Sequence, residues 1–388
     1  MSPISVFFYI DALDHRMVSA EHTPFICNLA DKGDYHELEN IVGYSFAIQS
    51  CMLSGQYPDE NLHWMPYFYS PQNSPILFKA LSKVGKFTPL DKLSCARYGL
   101  LRILRKLFLE RGVHPNNIPL SVIGSISLFP YYYMNELPAF YELNKVLDER
   151  YRTALIYLGP PKVKDNVYVS LSRYVKASAN RKAKSILVYD DTLDRVGHAF
   201  GPFSSQYVNC VRKLDAVLAK ISAKILKIDA DATLLFFSDH GQSELTDCVD
   251  IVSELAKVGL KMPDDYQCFI DATIGLFWPN NGAIQERMTS FFTTLKVGTL
   301  IDDRLREKYH LKFADRKMYG DIIYILRPGW AFFPNFFSPL KPMKGLHGYL
   351  PENKVQKALI ISNRAFDFDI SHVRDLRRAF LRHCEFMQ

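Results

Sequence analysis

The sequence of 388 residues has no CxxC pair, and its seven cysteines, Cys27, Cys51, Cys95, Cys210, Cys248, Cys268 and Cys384, are scattered and odd in number. That pattern argues against a thiolate zinc site or a disulfide framework and fits a reducing cytoplasm. Long apolar runs are missing too. The first, ISVFFYI, has no basic segment before it and stops at Asp11, which is too short for a cleaved signal or a membrane span. The mature chain is therefore expected to start at a first strand and to be cytoplasmic, with peripheral membrane contact as the only membrane association in view. Repeats, low-complexity tracts and an obvious linker are absent. Strong charge is absent as well: the net +6 suits an anionic substrate or a membrane surface. Dispersed basic residues without a recognition motif exclude nucleic acid as a partner.

What the chain does have is apolar content, 48% of its residues, enough for a large core. Several short, continuous apolar runs end in polar residues: ISVFFYID at Asp11, AKSILVYDD at Asp190 and Asp191, TLLFFSDHG at Asp239 and His240, and KALIIS at Ser362. Continuous rather than alternating apolar residues mark strands buried on both faces. Helical patterns such as 206–228, with apolar residues three and four apart, lie between them. The alternation predicts an α/β fold: a doubly wound, mostly parallel sheet flanked by helices, with ligands bound beyond the carboxyl ends of the strands.

The acidic residues and histidines cluster at those ends. Asp11 follows the first strand, Asp194 and His198 lie in DTLDRVGHAFGP, Asp239 and His240 in SDHG, and His347 in GLHGYLP. Three carboxylates and three imidazoles, all expected in glycine-punctuated loops, suit two divalent cations with three protein ligands each, zinc first and manganese second. Metal pairs of this kind assist displacement at phosphorus. A nucleophile is offered by GYSFAIQSCMLSGQYP, residues 43–58. Ser45 there is expected to be the N-cap of a helix with Phe46, Ile48, Met52 and Leu53 on its apolar side, ended by Gly55 and Pro58.

Together these motifs resemble the alkaline phosphatase superfamily, and within it the type I phosphodiesterase and nucleotide pyrophosphatase branch. Ser45 with Gly55, Tyr57 and Pro58 keeps that branch's spacing from nucleophile to G-x-Y-P turn. Asp194, Gly197 and His198 match D-x-x-G-H; Ser238 to Gly241 match S-D-H-G; Gly345, His347, Gly348 and Tyr349 match G-x-H-G-Y. The resemblance implies an alkaline phosphatase-like fold over residues 1–388 with a small inserted cap. It assigns Asp194, His198 and His347 to one cation and Asp11, Asp239 and His240 to the other, with Ser45 between them. The activity it implies is cleavage of a phosphodiester or pyrophosphate-type bond through a covalent phosphoserine on Ser45. The substrate would be small and phosphorylated: a nucleotide, a sugar or a lipid head group.

Departures from the branch keep other readings open. Ile48 stands where the branch has a phosphate-binding asparagine, and a serine replaces the more usual threonine. The alternatives are a phosphomonoesterase or phosphotransferase acting on a glycan or lipid precursor, and a silent scaffold that kept the fold. The sulfatase motif is absent after Cys51. Two regions outside the motifs are expected to shape the substrate site. An aromatic and basic insertion spans 63–158 and carries the amphipathic segment RYGLLRILRKLFLERG. A cap-like insertion spans 263–342. Phe46, Tyr131 and Trp330 are candidate substrate contacts. Asp190 and Asp191 are read as supporting groups rather than ligands.

Overall fold

The computed structural model describes residues 3–87, 94–108, 118–128, 153–157, 185–337 and 341–385. A six-stranded sheet runs in the spatial order Asp34–Leu38, Ala358–Ser362, Thr233–Ser238, Ser5–Ile10, Ser185–Asp190, Thr153–Tyr157. The last four strands are mutually parallel, and Ala358–Ser362 is antiparallel to both of its neighbours. The expected α/β fold with a mostly parallel sheet is present, and the four apolar runs read from the sequence are four of its strands.

Strand residues alternate between two buried layers, which is why their runs are continuously apolar. Val6, Phe8, Val188, Leu234 and Phe236 pack with Tyr207, Val211, Leu214, Leu218, Ile221 and Ile225 of the helix Ser205–Ile228. Each such side chain contributes about 1.5–3 kcal/mol on burial. Ser204 caps this helix by accepting from the Tyr207 amide at 3.2 Å. On the opposite layer Phe7, Tyr9, Leu187, Leu235 and Phe237 join a larger core that includes the helices Ser45–Ser54 and Asp375–Glu385. Phe380 meets Phe7 and Phe237 edge-on, with centroids 5.2 and 5.1 Å apart.

Register decides where the polar loop residues meet. Tyr9 is level with Phe237 and Ile10 with Asp190, so the residues following each strand emerge at one edge of the sheet. Asp11, Asp239 and the start of the helix Thr192–Phe200 thereby become neighbours. Across this edge lies a second, antiparallel sheet, ordered Tyr266–Ile270, Ile274–Pro279, Ile322–Leu326, Gly298–Leu300. Its first turn brings residues 271–273 to the same edge.

Several local expectations are corrected. Ser45 is not the N-cap; Tyr44 is, with extended backbone, and Ser45 is the first helical residue. The Ser45 helix has no single apolar side either: Phe46, Ala47, Ile48, Cys51, Met52 and Leu53 are all buried, since the helix passes between the sheet and the remaining core. Asp194 and His198 sit on a helix rather than in a loop. In the helix Ser94–Phe108, Leu101 is buried while Arg102 and Ile103 are exposed; the side chains of residues 104–108 lie outside the described part. Among the described residues no helix is long and apolar enough to cross a membrane.

Candidate metal centre

Asp11 opens the site. One of its oxygens, Oδ2, accepts from the Tyr189 hydroxyl at 2.7 Å, and the other, Oδ1, is buried with no hydrogen-bond partner. Asp239 mirrors it from the next strand: Oδ1 accepts from the amides of Ala12 (3.2 Å) and His240 (3.1 Å), while the buried Oδ2 has no partner. Asn40 holds this turn by donating to the Asp239 carbonyl at 2.6 Å.

His240 stands between the two halves of the site. Its Nδ1 lies 2.9 Å from the Gly241 carbonyl, which can only accept, so the ring proton belongs on Nδ1 and Nε2 carries the lone pair. Nε2 is 3.7 Å from Asp11 Oδ1, 3.3 Å from Asp239 Oδ2 and 2.9 Å from Ser45 Oγ. The Ser45 hydroxyl therefore donates to His240. Placed at the first position of its helix, Ser45 also lies at the positive end of the helix dipole.

Asp194 and His198, four residues apart, face the same way on their helix, with His198 Nε2 3.2 Å from Asp194 Oδ1. The Gly345 carbonyl accepts from His198 Nδ1 at 2.7 Å, again leaving Nε2 unprotonated toward the site. His347 stacks on His240, centroids 3.7 Å apart, and places its Nε2 3.7 Å from Asp194 Oδ1; its buried Nδ1 has no partner. Among the described residues, two groups have ligand atoms close enough to share an ion: Asp11, Asp239 and His240, and Asp194, His240 and His347. The first is the trio expected from the sequence. The second contains His240 where His198 was expected, because His347 stacks on His240, while His198 contacts Asp194 directly.

Electrostatics tests whether cations fit. Burial, then the charges of Asp239 and Asp194, push the Asp11 carboxyl far above its ordinary range. Burial, then His240, pulls His347 well down. Burial also raises Asp194, but His198 beside it, with His347 and His240, more than reverses this and holds it well below the usual carboxylate range. Buried carboxylate oxygens without donors, next to imidazole lone pairs, leave negative charge and lone pairs uncompensated by protein. Hard-to-borderline divalent cations satisfy that donor set, so the residues fit the expected group.

Sequence reasoning missed four supporting residues. Gln242 donates Nε2 to both the carbonyl (3.1 Å) and Oδ1 (2.7 Å) of Asp194. Its amide is wedged between Gly197 and Gly345, where an added Cβ would lie 1.9 and 2.7 Å from its Oε1. Tyr44 accepts from the Thr273 and Ile274 amides through its hydroxyl (2.8 and 3.2 Å), and Thr273 Oγ1 in turn donates to the His347 carbonyl at 2.9 Å. Asp271, buried beside His198, is pushed up to about 6 by burial. The glutamine following SDHG was the one available signal; Thr273 and Asp271 have no local motif.

The candidate substrate contacts fare differently. Phe46 belongs to the core, its ring 6.2 Å from His63. Trp330 is half-buried, with Arg327 5.5 Å from its ring. Tyr131 lies outside the described residues. Ile48 is fully buried, so the position of the missing asparagine faces core. Asp190 accepts from the Thr192 amide at 2.8 Å, and Asp191 pairs with Arg195 at 2.7 Å.

Residues 122–350 match the family described as type I phosphodiesterase / nucleotide pyrophosphatase. A segment of 64 residues is 34% identical to an uncharacterized pyrophosphatase/phosphodiesterase of Schizosaccharomyces pombe, covering 16% of this chain and only 13% of that protein. Human ectonucleotide pyrophosphatase / phosphodiesterase 5 has the same fold, with a TM-score of 0.65 at 13% identity over 98% of this chain and 95% of that one. The murine counterpart, an inactive variant solved in complex with AMP, gives 0.62 at 14% identity over 99% and 95%. Phosphonoacetate hydrolase of Sinorhizobium meliloti 1021, in complex with phosphonoformate, gives 0.59 at 12% identity over 100% and 96%.

Proposed function

We propose that this chain, which belongs to the type I phosphodiesterase / nucleotide pyrophosphatase family, is a metal-dependent phosphohydrolase that cleaves a phosphodiester or pyrophosphate-type bond through Ser45. The observation that carries the reading is the 2.9 Å contact between Ser45 Oγ and His240 Nε2, at a histidine shared by both candidate ligand groups. Divalent cations, zinc before manganese, would be held by Asp11, Asp239 and His240 and by Asp194 and His347, with His198, whose Nε2 lies 3.2 Å from Asp194 Oδ1, as the third ligand of the second in place of the shared His240; they would supply Lewis-acid chemistry that acidifies the serine and neutralises phosphoryl charge.

The chain's own residues do the rest. The helix start fixes Ser45 Oγ, and the tautomer set by Gly241 keeps His240 Nε2 unprotonated toward it. Ser45 Oγ gives up its proton to solvent water and bonds to phosphorus as the bond to the leaving oxygen breaks; the departing oxygen takes a proton from water. A second water then cleaves the phosphoserine and restores the hydroxyl. A nucleotide is the first substrate class to try, given the AMP complex of the murine relative.

The test is metal analysis of the purified chain together with hydrolysis of bis-p-nitrophenyl phosphate and p-nitrophenyl phosphate, with and without chelator. About two zinc ions per chain and chelator-sensitive diester cleavage are expected. Ser45→Ala should lower kcat at least about 10³-fold while metal content is retained. Normal turnover by that variant sinks the mechanism. Preference for the monoester moves the assignment to a phosphomonoesterase, and neither metal nor turnover leaves a silent scaffold.

A further inference from the structure

At the far end of the Ser45 helix the surface opens into a cleft of about 590 Å³. Ten helical residues put it roughly 15 Å from Ser45. Its lining includes Tyr57, His372, Arg374, Arg377, Arg378 and Arg382: four guanidinium groups, against one lining carboxylate, Asp375. One oxygen of Asp375, Oδ2, is taken up by the backbone, accepting from the Ser371 and His372 amides at 2.9 Å each.

The arginines are held in place rather than free in solvent. Arg374 uses Nε on the Gly55 carbonyl (2.8 Å) and lies over the Tyr57 ring, 3.9 Å from its centroid. Arg377 uses NH1 on the Leu53 carbonyl at 2.7 Å. Arg378 and Arg382 both rest on Phe368, 4.6 and 5.5 Å from its centroid, and Arg382 also pairs with Asp367. Glu60 approaches Arg374 only to 4.0 Å. Among the described residues no carboxylate pairs with Arg377 or Arg378. A guanidinium has five N–H donors, so a side chain anchored through one of them, or stacked on a ring, keeps the others for a ligand and loses little entropy in binding it. Planar forks of this kind match phosphate oxygens.

From this cleft the structure assigns a second, non-catalytic site for a small anion bearing two or more phosphate groups, recognised by Arg374, Arg377, Arg378 and Arg382. The assignment stands on these residues and not on the reading of the metal centre. Phosphate of this kind could belong to a free ligand or to a lipid head group, and the test separates the two.

Pyrophosphate binding to the full chain is measured by calorimetry in wild type, in an Arg378→Glu/Arg382→Gln variant, and in Asp239→Asn. Vesicles of phosphatidylcholine, with and without a bisphosphorylated phosphoinositide, are tested in parallel, with phosphatidylglycerol vesicles as the control for charge alone. The arginine variant should raise the Kd for pyrophosphate about tenfold or more, whereas Asp239→Asn leaves this binding unchanged. Arg378→Lys, alone, should keep most of it. Arginine-dependent capture by the phosphoinositide vesicles and not by the phosphatidylglycerol ones, without pyrophosphate binding, would identify a lipid phosphate and also support the site, whereas equal capture by both overturns it. Unchanged binding in the arginine variant with its melting temperature preserved, or loss confined to Asp239→Asn, overturns the assignment.

Discussion

A single amide fixes the orientation of Asp194. Gln242 Nε2 reaches both the carbonyl and Oδ1 of that residue, and the glycines at 197 and 345 leave it one place to lie. Replacing Gln242 with Leu keeps most of the volume and removes both donors. Asp194 Oδ1 then loses its amide donor, and the aim of the carboxylate relaxes. Groups that orient metal ligands in this way change affinity or activity by roughly 10- to 100-fold when lost. The expected result for Gln242→Leu is therefore a drop of that size in kcat/KM and weaker zinc retention on dialysis. Unchanged values for both would show that the helix alone orients Asp194. Gln242 was overlooked in the sequence because an isolated glutamine after SDHG looks like any polar loop residue; only the close approach of two glycines gives it a role.

Three elements converge through Tyr44: the start of the Ser45 helix, the turn at 271–273 and the His347 loop. The hydroxyl of Tyr44 satisfies two backbone amides of the turn, and its ring lies edge-on to His347, 5.5 Å away. Gly348 completes the arrangement with φ +86, and a Cβ there would fall 2.5 Å from Tyr44 Cε1. Gly348→Ala adds left-handed strain and pushes the ring, so a loss of about 1–3 kcal/mol in denaturant unfolding is expected, with kcat falling as well. A variant with wild-type stability and kcat would show that the loop adapts without moving Tyr44. Elements of this kind were unevenly legible. The four strands could be read because burial on both faces writes an unbroken apolar run, and the helix 205–228 because one face is polar. The Ser45 helix gave no such phase, being buried nearly all round, which is why its cap was displaced by one residue. The turn at 271–273 reaches the site only through tertiary packing, which no local pattern records.

At the scale of the whole molecule, the segment before the helix Asp375–Glu385 ties that helix to the sheet edge. The Glu39 amide donates to the Ser371 carbonyl at 2.7 Å and the Val373 amide to the Glu39 carbonyl at 2.9 Å. His372 sits at the centre of this junction with its Nδ1 accepting from the Arg374 amide at 3.1 Å and its ring edge-on to Tyr57. Nothing in the sequence around His372 marks it, since its role depends on a sheet edge more than three hundred residues earlier in the chain. Burial holds its pKa down to about 4, with Arg374 and His310 acting in the same direction and Asp375 and Glu39 against it. The unfolded chain takes up this proton near pH 6.5 and the folded chain only near 4, so the unfolded state binds more protons between those values. The stability contribution of neutral His372 is thus complete above about pH 6.5 and is lost as pH falls from there through 4, by about 3 kcal/mol in all. Protonation of Nδ1 would also turn the Arg374 amide contact from attraction to repulsion. His372→Asn keeps an acceptor for that amide, as its Oδ1 can stand where Nδ1 was, and removes the titration. Urea unfolding measured at pH 7 and pH 4.5 should therefore give a smaller acid loss for the variant than for wild type, by about 2 kcal/mol. Equal losses in both would place the acid sensitivity in the buried carboxylates of the metal centre instead, where added zinc should suppress it.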